Sequence, residues 1–141
     1  MQNKVELSQV EIIEEFEMFS DWMEKYEHII EIGKELEPMD EALKVDENLI
    51  KGCQSRVWLA ASTNEKGEVV FSADSDAIIT KGLVALMIRV LSESAPMEIA
   101  ESDLHFLDAI GLHAHLSPTR SNGLLSMVKQ MKMYGLAYSA R

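Results

Sequence analysis

The chain has a single cysteine, Cys53. That excludes an internal disulfide, the stapled scaffolds of small secreted domains, and any zinc site built from several thiolates. Long apolar runs are also missing. The longest candidate, Gly82 to Leu91, has ten residues and contains Arg89, well short of the roughly 18 a membrane-spanning helix needs. The first residues, MQNKVELSQVEIIEE, are acidic and lack the basic-then-apolar build of a signal peptide, so a cytoplasmic location is the default expectation. Gly111 and Gly123 stand alone, so no glycine-rich phosphate loop is present and nucleotide chemistry is not indicated.

Basic excess is absent too. The net charge is −11, and it is carried unevenly. Residues 1–50 hold 15 acidic and 4 basic side chains, while residues 51–141 hold 9 of each. From Ser117 to Arg141 there is no acid, only Arg120, Lys129, Lys132 and Arg141. This balance disfavours nucleic-acid binding. The acidic half reads either as solvated helix faces or as a surface that steers a protein partner.

What is present fits one globular domain over 1–141. Apolar residues make up 47% and charged residues 26% of a 141-residue chain, enough for one aliphatic, methionine-rich core. Ile12, Phe16, Phe19, Met23, Tyr26 and Ile30 recur at steps of four and three, the mark of an amphipathic helix. Asp21 with Glu24 is a weak capping signal, which leaves the stripe open to two readings, one continuous helix or two helices meeting near Ser20, and Gly33 and Pro38 bracket its end. Val57, Leu59 and Ala61 alternate with Arg56, Trp58 and Ala60, then Asn64 to Gly67 turns the chain and Val69, Phe71 and Ala73 alternate again. This predicts an antiparallel hairpin, with an extra short strand over Asn48 to Lys51.

Asp74, Ser75 and Asp76 offer N-caps for a helix over Ile78 to Leu91, which is apolar almost all round and therefore central and buried. Ala95-Pro96 opens a short helix, and Phe106, Leu107, Ile110 and Leu112 form another apolar turn. Ser117-Pro118 opens the last helix, with Leu124, Met127, Val128, Met131 and Tyr134 at helical spacing. Trp22 and Trp58 read as core anchors. The predicted class is α+β, a small antiparallel sheet packed by helices.

The residues with chemistry to offer are few. Cys53 lies in Lys51-Gly52-Cys53-Gln54-Ser55-Arg56, where Gly52 signals a bend and the neighbours are polar. A thiol is either an inert core hydrophobe or a reactive group. In the reactive reading, Lys51 and Arg56 stabilise a thiolate. A thiolate without a partner cysteine can attack the outer sulfur of another protein's persulfide and so become a persulfide itself. Such a thiol needs shielding from oxidation, so the loop is expected to cover it. His113 and His115, separated by one residue, would share a face in an extended segment. They could then form a metal pair or a base for Cys53 in a Cys-His thiol enzyme.

Several segments resemble the SufE family of sulfur-acceptor proteins. Gly52-Cys53-Gln54-Ser55-Arg56-Val57-Trp58-Leu59 resembles the family's cysteine loop. Asp74-Ser75-Asp76-Ala77 with Lys81-Gly82-Leu83 resembles the segment leading into its central helix, and His115 through Leu124 the segment opening its final helix. Asp21-Trp22, Lys25-Tyr26 and Ile29-Ile30 fit as well. The resemblance implies an α+β fold like that of the iron-sulfur scaffold IscU, without that scaffold's further cysteines. It implies that Cys53 accepts persulfide sulfur from a SufS-like cysteine desulfurase, stimulates that enzyme, and passes sulfur to a downstream iron-sulfur scaffold complex. The chain would carry no cofactor or metal of its own, the pyridoxal phosphate belonging to the desulfurase. By the same resemblance Asp76 and Arg120 lie in or near the docking region, and Gln54 and His115 shape the cysteine loop. Two other readings stand beside this one: an independent Cys-His thiol enzyme, and a regulatory module that binds a desulfurase without using the thiol.

Overall fold

The computed structural model describes residues 4–140. Two helices come first, α1 (Lys4–Glu17) and α2 (Trp22–Lys34). The break between them follows the capping signal. The Asp21 carboxylate accepts the Glu24 N–H at 2.9 Å, and Glu24 turns back to accept the Ser20 hydroxyl at 2.7 Å. Because the chain breaks there, the single stripe does not continue in phase. Ile12 and Phe16 are fully buried on α1, but on α2 Ile29 and Gly33 are the buried residues and Met23 is exposed.

Strands β1 (Val57–Thr63) and β2 (Val69–Ser75) pair antiparallel, with Leu59 opposite Ala73 and Ala61 opposite Phe71. The turn is closed by the Asn64 side chain, which accepts the N–H groups of Lys66 and Glu68, and by Gly67 at φ +78. The predicted extra strand over Asn48 to Lys51 is not formed. Only an isolated bridge joins Leu49 to Trp58, with the Ile50 N–H donating to the Val57 carbonyl at 2.9 Å. Trp58 is no core anchor: it is half-buried on the outer side of β1, with the Lys44 ammonium 5.9 Å from its ring centroid.

α3 (Ile78–Leu91) is the central helix, with ten buried residues. Its N-cap is Ala77, without a side-chain cap. Asp74 and Ser75 are instead the end of β2, and Asp76 faces Arg56. α2 crosses α3 at glycines: a Cβ on Gly82 would lie 2.2 Å from the Ile29 carbonyl oxygen, and one on Gly33 would lie 2.7 Å from the Gly82 nitrogen. α1 is tied to the far end of α3 by Lys4, whose ammonium donates to the carbonyls of Arg89, Val90 and Ser92 at 2.7, 3.1 and 2.7 Å. These are carbonyls a helix end leaves without partners. Glu15 on α1 links to α2 through His28 and to α3 through Arg89. Burial alone would raise its carboxyl, but hydrogen bonds from Arg89 and His28 outweigh that and hold it below the ordinary carboxylate value.

Short helices α4 (Pro96–Ala100), α5 (Phe106–Ala109) and α6 (Leu112–His115) lead into α7 (Pro118–Ser139). Ser117 caps α7 by accepting the Arg120 N–H at 3.3 Å. Leu124, Met127 and Met131 are buried on its inner face, with Val128 and Tyr134 packed against the core. The α+β class holds. No helix among the described residues is long and apolar enough to cross a membrane.

Candidate functional site

The segment 51–55 is a loop whose two ends are fastened to the hairpin. One end is held by the Ile50 to Val57 hydrogen bond. At the other, Arg56 is clamped: its N–H donates to Asp76 Oδ1 at 3.0 Å, and its carbonyl accepts the Ser75 hydroxyl at 2.8 Å and the Asp76 N–H at 3.2 Å. Between these ends Gly52 turns the chain at φ +92, a conformation that favours glycine. A Cβ there would also lie 2.6 Å from Ser126 Oγ.

The turn points Cys53 back against the start of α7. Its Sγ donates to the Gly123 carbonyl at 3.6 Å, a long contact suited to a weak S–H donor. Gly123 lets the helix approach, since a Cβ at that position would be 3.4 Å from the sulfur. The half-buried thiol lines a cleft of about 280 Å³ between the start of α3 and the start of α7. Ala77, Ile79, Leu83 and Met127 supply apolar walls, and Gln54, Ser55, Thr80, Thr119 and Arg120 supply polar ones. Ser55 Oγ donates to Thr80 Oγ1 at 3.4 Å, fastening the loop to α3.

Burial pushes the Cys53 thiol above its ordinary pKa. The sequence expectation that Lys51 and Arg56 favour a thiolate is therefore corrected. Both side chains are exposed, where water screens their charge, and desolvation of the sulfur dominates. The fold prefers the protonated thiol, so its contribution to stability is complete below the unfolded thiol's pKa and is lost as pH rises through the higher folded value. Alkylation of Cys53 by iodoacetamide should be several-fold slower at neutral pH than in the urea-unfolded chain, and should keep climbing at pH values where an ordinary thiol, pKa about 8.5, has levelled off. Rates measured across pH in both states check this. Equal profiles would remove the shielding.

Of the residues expected at the site, Cys53, Gln54 and Arg120 line the cleft together. Arg120 and Gln54 are exposed at its mouth. Asp76 does not line it, but it holds the loop end through Arg56 and precedes Ala77, which does. Asp76→Ala is expected to cost about 1 kcal/mol through the lost hydrogen bond, a fall in Tm of roughly 3 °C, with faster alkylation of Cys53. Thermal melts and alkylation rates check both, and no change in either would remove the clamp. His115 is elsewhere: its ring stacks on Trp22 with centroids 4.5 Å apart and planes 7° apart. His113 pairs with Asp108 at 3.2 Å. The extended arrangement that would point both histidines to one face is not formed, because they lie in the helical turn of α6. Neither lines the cleft. Among the described residues no group of three His, Cys, Asp or Glu is placed to hold a metal ion.

Gly123, Thr80, Leu83 and Met127 also line the cleft, but in the sequence Gly123 and Leu83 stood only within matched segments, Met127 only as a core position of the last helix, and Thr80 not at all. The one signal that could have found them is Gly123, a glycine inside an otherwise regular helix, where a close backbone approach is a common reason.

The family model for SufE, described as an Fe-S metabolism associated domain, matches residues 10–135. Among solved structures, the solution structure of a hypothetical protein from Thermus thermophilus superposes with a TM-score of 0.78, covering 100% of both chains at 17% identity. At that identity the likeness shows the fold.

Proposed function

Because this chain belongs to the SufE family and so is associated with iron-sulfur metabolism, we propose that Cys53 is a sulfur acceptor for a pyridoxal-phosphate cysteine desulfurase and a donor to a downstream iron-sulfur scaffold. The observation that carries the reading is the sole cysteine, half-buried in a cleft with apolar walls and a polar mouth, with neither histidine nor carboxylate among the lining residues. Such a site suits a carrier better than a hydrolase, which needs a base within hydrogen-bond reach of its nucleophile.

The transfer balances without an external oxidant or reductant. Cys53 gives up its proton, its sulfur attacks the outer sulfur of the donor persulfide, and the donor's S–S bond breaks. The donor leaves as a thiolate and takes up a proton, and Cys53 carries the new S–S bond, about 2.05 Å long. The apolar walls limit the access of water and oxidants to the carried sulfur. In this reading Asp76 and Arg120, both exposed beside the cleft, belong to the docking region, and Gln54 shapes the loop. In this reading docking of the desulfurase frees Cys53 from the Gly123 carbonyl.

The test is intact mass spectrometry after incubation with cysteine and a catalytic amount of desulfurase. One added sulfur mass, removable by a reductant and located on the Cys53 peptide, is expected. An unchanged mass with a desulfurase shown to be active would overturn the reading.

A further inference from the structure

The polar side chains of the cysteine cleft fall into two sets. Ser55 and Thr80 are spent on each other through their 3.4 Å hydrogen bond. Gln54, Thr119 and Arg120 are exposed, and none of their side chains has a hydrogen-bond or ion-pair partner among the described residues. No carboxylate lines the cleft. Asp76, which stands next to it in sequence, has its Oδ1 on the Arg56 N–H. The open side of the cleft therefore carries a free guanidinium, with an amide and a hydroxyl on the same surface, a set of donors suited to a carboxylate.

The inner wall is different. Ile79, Leu83 and Met127 are buried and share the cleft with the Cys53 thiol. Such a wall suits an apolar stem and a polarisable sulfur atom. The cleft, about 280 Å³, is small for a ligand site. At the roughly 30 Å³ that one water takes up, it has room for about nine non-hydrogen atoms.

We infer that the cleft itself admits a low-molecular-weight persulfide bearing a carboxylate, and that Cys53 takes sulfur from it without a desulfurase. The inference rests on the reading of Cys53 as a sulfur acceptor and adds a second donor to it. Arg120 holds the carboxylate, with Gln54 and Thr119 as further donors, and the stem lies along the apolar wall with its outer sulfur at Cys53. The thiol gives up its proton and attacks that outer sulfur, and the S–S bond of the donor breaks. The donor leaves as a thiolate and takes up a proton, and Cys53 carries the new S–S bond, so no oxidant or reductant is consumed.

The probes are the persulfide of 3-mercaptopropionate and the persulfide of its methyl ester, which differ in the charge and one methyl group. Intact mass spectrometry follows the addition of one sulfur to the full chain, folded and urea-unfolded, with no desulfurase present. The unfolded chain supplies the intrinsic reactivity of each donor. In the folded chain the carboxylate donor should be favoured over the ester by about fivefold more than in the unfolded one, a modest factor because the guanidinium is exposed and screened. Its rate should saturate with a half-point on the order of 1 mM, as for a ligand of so few atoms. Arg120→Gln should abolish the preference and Arg120→Lys should keep part of it, both with unchanged circular dichroism. Equal donor ratios in the folded and unfolded chains overturn the inference, as does a rate that does not saturate or a preference that survives Arg120→Gln. Loading by an active desulfurase, measured on the same preparation, separates the two claims. If the desulfurase loads Cys53 and the carboxylate persulfide has no advantage, only this inference fails; if neither loads it, the acceptor reading fails as well.

Discussion

Cys53→Ala is expected to abolish sulfur uptake completely while leaving the fold intact. Cys53 is the chain's only thiol, so no second sulfur can substitute, and the product mass should stay at its starting value where the unsubstituted chain gains one sulfur. The structural cost is small. The sulfur is half-buried, its one hydrogen bond is a 3.6 Å contact to Gly123, and Cys53 packs at the margin of the core. Such a truncation should cost within about 1 kcal/mol, which a thermal melt measures. The same variant separates the three readings of the site. A carrier loses both transfer and thiol-dependent stimulation of the desulfurase. A purely regulatory module would keep the stimulation, and an independent thiol enzyme would show turnover in the unsubstituted chain without any partner.

The largest effect on stability is expected from Gly82→Ala. Its Cβ would fall 2.2 Å from the Ile29 carbonyl oxygen, 2.6 Å from Ile29 Cγ2 and 2.8 Å from the Ile29 carbonyl carbon. Two of these are backbone atoms of α2 at its buried contact with α3, so no side-chain rotation relieves the overlap and α2 must move away from α3. Overpacking of this kind costs about 3 kcal/mol or more, which outweighs the roughly 1 kcal/mol an alanine gains over glycine in a helix interior. For a chain of this size the Tm should fall by on the order of 10 °C. The damage also reaches the site, because Ile79, Thr80 and Leu83 on the same helix line the cysteine cleft, so alkylation of Cys53 should accelerate. Thermal melts with alkylation kinetics check both. An unchanged Tm would mean that the helices are not in contact at this glycine.

Where the sequence pattern carried a strong local cause, it was readable. The hairpin follows from alternation closed by Asn64 and Gly67, and of the two readings left open for the first stripe the structure takes the break at Ser20-Asp21, where the cap is satisfied within four residues. The burial of α3 follows from its composition. The misreadings occurred where a distant partner decided. Asp76 looks like a helix cap, yet its carboxylate is taken by the Arg56 N–H, twenty residues away in sequence. His113 and His115 look like a pair, yet α6 turns them apart and Trp22 and Asp108 take them. The segment before the cysteine looks like a strand, yet it makes a single bridge, because Asn48 belongs to the tight helical turn Asp46–Asn48 and Lys51 already lies in the turn with Gly52.

Cys53 shows the same division. By itself the sequence determined that a single thiol lies at a glycine bend between polar neighbours and ahead of a hairpin, since composition and turn chemistry are local properties. It also determined the charge division between the two parts of the chain. Only the tertiary structure decided which way the thiol's pKa moves. The neighbouring Lys51 and Arg56 are exposed and screened, while the start of α7, seventy residues further on, brings Gly123 against the sulfur and withdraws it from water. Desolvation depends on everything packed around an atom, and no spacing along a chain records it.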